Sequence, residues 1–438
     1  MSLRGALFAT RQSHKFSVAT QVKVVIEAHS DCFVIKNIRQ LVPDAVYHLH
    51  PCGRPRNDSV TSMIFKLSIK QLVTTLLLTL SVITSVFAEN NWQPLPTETI
   101  QRIAFGSCAM QFKPQPIWNT IVKLKPDLFL FLGDNIYADF DGKKPFTPTK
   151  KTLQRDWNML ANEPNFKAFR QQVPVMATWD NHDYGKHNGG AEFELKEMTK
   201  TAFLNFFGEP KDSKRRKTPG IYDAKIFGEE GKRVQEILLD TRYFKGPFIK
   251  DKRIKEEKKA AGLTGSMGNY IPNQDPNVTL LGKAQWIWLE AQLKKPAELR
   301  LIVSSTQVIP DEKAMDEWGN YPLERQRLFR LIKETKANGV IILSGNVHFT
   351  EVSKLTNFPY TLVEFTSSGM THFKKAYAEA KNAYRVAGPD ANINFGFIEI
   401  DWSVKPTPLI RFIAINLGDT IAYEYSVPLA NLQFTVDQ

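Results

Sequence analysis

The sequence predicts an α/β or layered α+β protein with a large buried core. Short apolar runs of strand length alternate with stretches of helical periodicity, a pattern typical of sheets covered by helices. The 438 residues are 42% hydrophobic and 23% charged, which excludes a disordered, fibrous or multi-span membrane chain. Three cysteines are too few for a disulfide-dense scaffold.

The predicted elements follow in regular order. Strands are expected at 102–105, 127–132, 173–178, 234–239, 300–304, 340–343 and 361–365, with three more at 395–402, 408–415 and 421–427. Helices are expected at 117–124, 192–207, 283–294 and 324–337. The segment 243–280 is charged and punctuated by Gly and Pro, which predicts a long loop of the kind that forms lids or insertions facing a ligand.

The N-terminal part of the chain predicts export. Residues 63–88 have the form of a signal peptide, since Lys66 and Lys70 precede an apolar run that ends at Ala88. A single membrane anchor is the alternative, although the run is short for a span. Residues 1–62 are interpreted as an upstream extension from a mis-assigned start, or else as a small domain. Residues 89–438 are then one domain, secreted or periplasmic, with no stable membrane span after cleavage.

The charge of the chain suits a small anionic substrate no worse than nucleic acid. The formal charge is +12, but residues 89–438 hold 47 basic and 41 acidic side chains, a net charge of only +6. No nucleic-acid-binding motif is present, so no specific nucleic acid partner is expected. Cys108 is the one cysteine after residue 88, and metal ligation or simple burial can each explain it.

Polar side chains follow several predicted strands, at the points where the apolar runs stop. Because ligands of α/β sheets bind at the carboxyl ends of strands, these side chains are expected to converge. Each alone has a plainer explanation, such as a turn, a helix cap or a core residue, but together they are typical of a two-metal phosphoesterase site. The set is Cys108, Asp134, Tyr137, Asn181 and His348.

His182 is the candidate catalytic residue of this set. It directly follows Asn181 and precedes Asp183, so an imidazole lies between a possible ligand and a carboxylate. An imidazole oriented by a carboxylate suits proton transfer to a leaving group. The sequence therefore predicts His182, with Asp183, as the catalytic pair.

Four motifs carry a family resemblance. The chain reads Gly-Ser-Cys at 106–108, Gly-Asp-Asn-Ile-Tyr-Ala-Asp at 133–139, Trp-Asp-Asn-His-Asp-Tyr at 179–184 and Ser-Gly-Asn-Val-His at 344–348. In these motifs it resembles the PhoD-like alkaline phosphatases of the calcineurin-like metallophosphoesterase superfamily. The resemblance implies a four-layer sandwich of two β-sheets flanked by helices, and a phosphate ester as substrate.

The resemblance also implies the metals and their ligands. Cys108 and Tyr137 are expected to bind iron(III), which thiolate and phenolate ligands suit. Asp134 is expected to bridge to calcium, and Asn181 and His348 to supply further ligands, with His182 as acid–base residue.

Two residues depart from the family pattern. Asn181 stands where the family often has an acid, and Asn346, included here among the metal ligands, stands where it usually has aspartate. The neutral Asn346 removes a negative charge that a hard cation such as calcium favours. The expected activity is hydrolysis of phosphate mono- or diesters; the alternatives are a phospholipase-type phosphodiesterase acting on lipid head groups and a non-catalytic surface binding protein.

Overall fold

The computed structural model describes residues 92–260 and 268–434, together with three strands near the N-terminus. The chain divides into two compact units, Met1–Glu89 and Asn90–Gln438. In the first unit, strands Phe16–Ser17, Lys23–His29 and Cys32–Lys36 form an antiparallel sheet. Apart from these strands, the predicted extension 1–62 and the predicted signal peptide 63–88 lie outside the described residues.

The first sheet of the second unit has six strands and mixed topology. Its parallel half is β1 (Arg102–Gly106), β2 (Leu128–Leu132) and β3 (Val175–Thr178). Its antiparallel half is β11 (Asn394–Asp401), β12 (Leu409–Asn416) and β13 (Thr420–Pro428), joined to the parallel half where β11 pairs with β1. Every residue of β2, Leu-Phe-Leu-Phe-Leu, is buried, as expected for a strand covered on both faces.

The second sheet has seven strands around a parallel centre. The central strands are β5 (Val234–Leu238), β6 (Leu299–Val303), β7 (Val340–Ser344) and β9 (Leu362–Ser367). The edges are antiparallel: β4 (Asp223–Phe227) pairs with β5, while β8 (Thr350–Leu355) lies between β9 and β10 (Arg385–Asp390).

Helices cover the outer face of each sheet. Helices α1 (Ile117–Lys123), α2 (Lys150–Asn162), α3 (Pro164–Arg170) and α4 (Lys196–Phe206) precede the second sheet in the chain, whereas α6 (Gly282–Leu293) and α7 (Pro322–Glu334) lie between its strands. One apolar cluster fills the space between the sheets, including Leu130 and Leu301. A second joins the first sheet to Trp118 and Phe166, and a third joins the second sheet to Trp286 and Leu328. The layers are therefore helix, sheet, sheet, helix, which confirms the predicted fold class.

The predicted loop at 243–280 contains more regular structure than expected. Helix α5 (Lys252–Ala260) lies within it, and Ile249–Lys250 pairs with Tyr270–Ile271 as a short antiparallel ribbon. In the part of the chain that the structure describes, the helices are too short or too polar to cross a bilayer.

Candidate metal centre and active site

Three side chains from distant parts of the sequence meet at the ends of the strands. Cys108 follows β1, Asp134 follows β2 and His348 follows β7, so both sheets contribute. One ligand atom from each of the three lies within 4.8 Å of the others. A thiol, a carboxyl and an imidazole at this spacing can hold a metal ion.

The backbone at these residues adopts a conformation that side chains disfavour. Cys108, Asp134, Asn346 and His348 have φ angles of 63°, 51°, 69° and 61°, in the left-handed region. Each such residue costs of order 1–3 kcal/mol and persists where the surrounding structure imposes it, as at functional sites. The strand-end loops are therefore shaped for the site rather than for local stability.

Close backbone approach holds the strand-end loops together. The N–H of Cys108 donates to the Gly133 carbonyl at 3.3 Å, and that of Ala109 donates to the Asp134 carbonyl at 2.9 Å. Gly133 has a φ of +105°, and a Cβ there would lie 2.5 Å from Cβ of Asp180. Only glycine fits this position, so Gly133 sets the approach of the loop after β2 to the loop after β3.

The thiol of Cys108 is fully buried beside a carboxylate. It lies 3.5 Å from Oδ2 of Asp134, and the Ser368 hydroxyl donates to the sulfur at 3.2 Å. Burial raises the pKa of the Cys108 thiol well above its usual value, and the Asp134 charge adds to this rise. A cation bound between them would offset that repulsion, which is the electrostatic reason that the pair fits a metal ion.

Asn181 supplies a second test of the fit to a metal. Its side chain is 1% exposed, yet neither Oδ1 nor Nδ2 has a hydrogen-bond partner among the described residues. A buried amide without hydrogen-bond partners costs free energy, so a ligand bound beside it would stabilise the site. A metal ion coordinated through Oδ1 would satisfy the oxygen, and the residues present therefore fit the metal centre that the sequence predicts.

Tyr137 and His348 contact a histidine that the sequence analysis left without a role. The Tyr137 hydroxyl lies 3.1 Å from Nε2 of His372, and the rings of His348 and His372 have centroids 4.3 Å apart. Burial raises the pKa of Tyr137 and lowers that of His348 well below its usual value. The His348 imidazole is thus neutral, the form that ligates metals.

His182 lies beside the cluster with its ring held on two sides. Its Nδ1 lies 2.6 Å from Oδ1 of Asp139, and its ring stacks on Tyr137 at a centroid distance of 4.0 Å. Its backbone N–H donates to Oδ1 of Asp134 at 3.0 Å. Burial opposes a charged imidazole, but the Asp134 and Asp139 carboxylates outweigh it and raise the pKa of His182.

Asp183 has a different position from the one predicted. Its Oδ1 accepts from the backbone N–H groups of Asn135 at 2.7 Å and Ile136 at 3.1 Å, and its Oδ2 accepts from that of Asp180 at 2.9 Å. The carboxylate that holds the His182 ring belongs to Asp139 instead. Asp183 therefore braces the loops after β2 and β3, and Asp139 takes the orienting role that the sequence analysis gave to Asp183.

Asn346 is engaged through hydrogen bonds outside the three-residue cluster. Its backbone N–H donates to Oγ of Ser107 at 3.3 Å, and its Nδ2 donates to the Asp316 carbonyl at 3.4 Å. Asp316 in turn pairs with the buried Arg242 at 2.6 Å, and the same guanidinium pairs with Asp180. Arg242 thus connects the loop before Asn181 to the loop that contacts Asn346.

Sequence reasoning missed Asp139, His372 and Arg242. Asp139 stands in the same motif as Asp134, which is a signal, although nothing local shows that it faces the next strand-end loop. His372 follows the polar turn after β9, and Arg242 follows the strand end at Asp240. Their partners depend on how the two sheets face each other.

The two facing sheets, their helices and the cluster at their strand ends define a layered metallophosphoesterase-type fold. The chain belongs to the PhoD-like phosphatase family, whose model matches residues 103–403. It is similar to alkaline phosphatase D of Bacillus subtilis (strain 168), with 26% identity over 295 residues, which cover 60% of this chain and 48% of that protein. The chain thus spans about half the length of this curated relative.

A solved structure agrees on the fold. The structure of PhoD superposes with a TM-score of 0.60 at 19% identity, covering 78% of this chain and 72% of that one. At this identity the likeness supports the fold alone.

Proposed function

We propose that this protein is an exported, metal-dependent phosphatase that hydrolyses phosphate mono- or diesters. The observation that carries the proposal is the meeting of Cys108, Asp134 and His348 with ligand atoms within 4.8 Å, beside an imidazole already paired with a carboxylate. Family membership supports a phosphate ester as the substrate. Export rests on the signal-peptide pattern at 63–88, with 1–62 as an upstream extension and 89–438 as the mature domain.

We propose iron(III) and calcium as the metals. Cys108, Tyr137 and Asp134 would hold the iron, with Asp134 bridging to calcium and Asn181, Asn346 and His348 nearby as further candidate ligands. A bound metal supplies Lewis acidity to the phosphoryl group. The thiol and phenol favour a trivalent ion, and the unpartnered amide of Asn181 favours a harder, oxygen-seeking ion.

Three further residues of the chain deliver the proton to the leaving group or position the group that does so. His182, with its pKa raised by two carboxylates, carries a proton that it can deliver to the leaving oxygen. Asp139 fixes the ring through Nδ1, which leaves Nε2 as the nitrogen that meets the ester. Asp183 keeps the loop of His182 against the loop of Asp134 through its three backbone contacts.

The proposal is tested by elemental analysis together with the visible spectrum and turnover of the purified protein. We expect iron and calcium, and an absorption band from thiolate or tyrosinate bound to iron(III) that weakens in Cys108→Ser or Tyr137→Phe. p-Nitrophenyl phosphate and its bis-ester should be hydrolysed. A colourless, iron-free but active enzyme would refute the iron assignment, and a metal-free protein inert toward both esters would favour the binding-protein alternative.

A further inference from the structure

A cavity of about 630 Å³ adjoins the pair formed by His182 and Asp139. Asp139, whose Oδ1 holds His182, forms part of its wall, and so does His187, whose ring centroid lies 5.5 Å from that of His182. An imidazole that protonates the leaving oxygen has the alcohol part of the ester on its own side. The cavity therefore borders the pair of His182 and Asp139 that would protonate the leaving alcohol.

The walls of the cavity are held in place by the fold. The Tyr184 hydroxyl donates to the Gly190 carbonyl at 2.8 Å, and the N–H of Ala191 donates to the Lys245 carbonyl at 2.8 Å. Among the lining residues themselves, the N–H of Phe146 donates to the Asp139 carbonyl at 2.8 Å. The cavity is therefore formed before a ligand arrives, which lowers the cost of binding.

The lining combines apolar side chains with one uncompensated charge. Phe146, Phe193 and Leu195 supply apolar surface. Glu192 pairs with Lys186 at 3.2 Å, whereas Glu194 has no ion-pair partner among the described residues. With Asp139 paired to His182, the charge left to face a ligand is negative.

We propose that this cavity binds the alcohol part of the phosphate ester and that Glu194 favours alcohols with an apolar body and a positive charge over those with a negative charge. The inference rests on the proposed function, since it names the substrate class of the same site. The apolar wall stabilises an aromatic or aliphatic body by removing it from water. The free carboxylate repels a second acidic group on the substrate.

The test compares three esters of similar leaving-group reactivity: benzyl phosphate, 4-(aminomethyl)benzyl phosphate and 4-carboxybenzyl phosphate. We expect kcat/KM of the metal-loaded enzyme to be about 10-fold higher for the ammonium ester than for the carboxylate ester, and this ratio to fall about 5-fold in Glu194→Gln. The matching phosphonates, which are not hydrolysed, should bind in the same order by calorimetry.

Control variants separate the cavity from general charge and from the proposed function. Glu230→Gln removes an exposed carboxylate from the turn between β4 and β5, away from the cavity, and should leave the ratio unchanged. Phe146→Ala should lower the ratio of kcat/KM for benzyl over ethyl phosphate, whereas Ile287→Ala on α6 should not. Turnover of all esters at equal rates would overturn this inference alone, while no turnover of any ester would overturn the proposed function and this inference with it.

Discussion

At the scale of single residues, the environment of His182 sets what its imidazole can do. Asp139 occupies Nδ1, and Tyr137 covers one face of the ring. Nε2 is therefore the ring nitrogen that remains available to a substrate. The nearby carboxylates favour the charged form, so the residue is suited to give a proton rather than to take one.

His182→Ala should reduce kcat by about 10²- to 10⁴-fold, the usual contribution of a positioned general acid. Its metal content should match that of the wild type, because the three clustered side chains are intact. Kinetics and elemental analysis on the same sample check both statements. Unchanged kcat would remove the catalytic role of His182.

Asp139→Asn should cause a smaller loss of kcat and a change in the pH profile. Removing the charge lowers the pKa of His182, so the basic limb of the kcat profile should move to lower pH. Asp183→Asn is the matched control. It should lower the melting temperature, because the new amide nitrogen cannot accept the backbone hydrogen bonds that a carboxyl oxygen of Asp183 accepts, and it should leave the basic limb of the kcat profile unchanged. Equal shifts in the two variants would contradict the assignment of Asp139.

At the scale of the elements, the strand-end loops are joined by contacts that leave no room for side chains. A Cβ at Gly345 would lie 2.3 Å from Oγ of Ser107, so this loop of the second sheet meets the loop after β1 as closely as Gly133 meets Asp180. The site depends on these two approaches, since they bring Cys108, Asp134 and His348 within reach of one metal.

Gly133→Ala should reduce metal binding and lower the melting temperature strongly, because the new Cβ would lie 2.6 Å from the backbone nitrogen of Asp180. Gly231→Ala is the matched control. Gly231 has a φ of +89° and nothing within 4 Å of the added Cβ, so only the backbone cost of about 1 kcal/mol applies. Differential scanning calorimetry and metal analysis of both variants distinguish crowding from backbone strain. Equal effects would show that the close approach is unimportant.

The elements that sequence patterns predicted best are those buried on both faces. Strand β2 is a continuous apolar run, and β6 and β7 are apolar apart from Arg300 and the final Ser344, so these strands can be predicted without knowledge of their neighbours. Strands β4 and β10 escaped prediction because they are half-exposed edges, and β10 contains Gly388 and Pro389. Strand β8 carries the buried Glu351, which is compensated by Lys313 and Arg385, and no local pattern reveals such partners.

For the candidate site, the sequence predicts which side chains lie at strand ends but not all of their partners. Cys108 and Asp134 follow two neighbouring parallel strands of the first sheet, so their position at one edge follows from sheet geometry. Their meeting with His348 depends on how the second sheet packs on the first. The choice between Asp139 and Asp183 as the partner of His182 depends on loop conformation after Gly133, which spacing does not encode. In the basic cluster at 211–217, Arg215 and Arg216 bind backbone carbonyls and fix the turn before β4, and composition alone does not indicate these contacts.

At the scale of the whole molecule, the core between the sheets contains a carboxyl group without a partner. Glu236 lies on the same face of β5 as Val234 and Leu238, which belong to that core. Neither of its oxygens has a hydrogen-bond partner among the described residues, and burial raises its pKa well above the usual value. The folded protein therefore holds a proton there that the unfolded chain releases.

This proton makes stability depend on pH with a definite sign. Above the ordinary pKa of glutamate, about 4.3, the unfolded chain loses the proton while the folded chain keeps it, so stability falls as pH rises, by up to about 1.4 kcal/mol per pH unit. Glu236→Met should remove this fall, and its advantage over the wild type in free energy of unfolding should grow between pH 5 and pH 8. Glu236→Gln, which is polar but does not titrate, should show the same growth. Parallel curves for wild type and variants would contradict the buried, protonated state.

The division of the cluster between the two sheets has a consequence for biogenesis. Cys108 and Asp134 leave the ribosome early, whereas His348 follows Cys108 by about 240 residues. A nascent chain, or one threaded unfolded through a translocon, holds only part of the ligand set until the second sheet has docked on the first. Uptake of the proposed metal would therefore come after the second sheet has docked on the first, from the ions of the compartment where the polypeptide completes its folding.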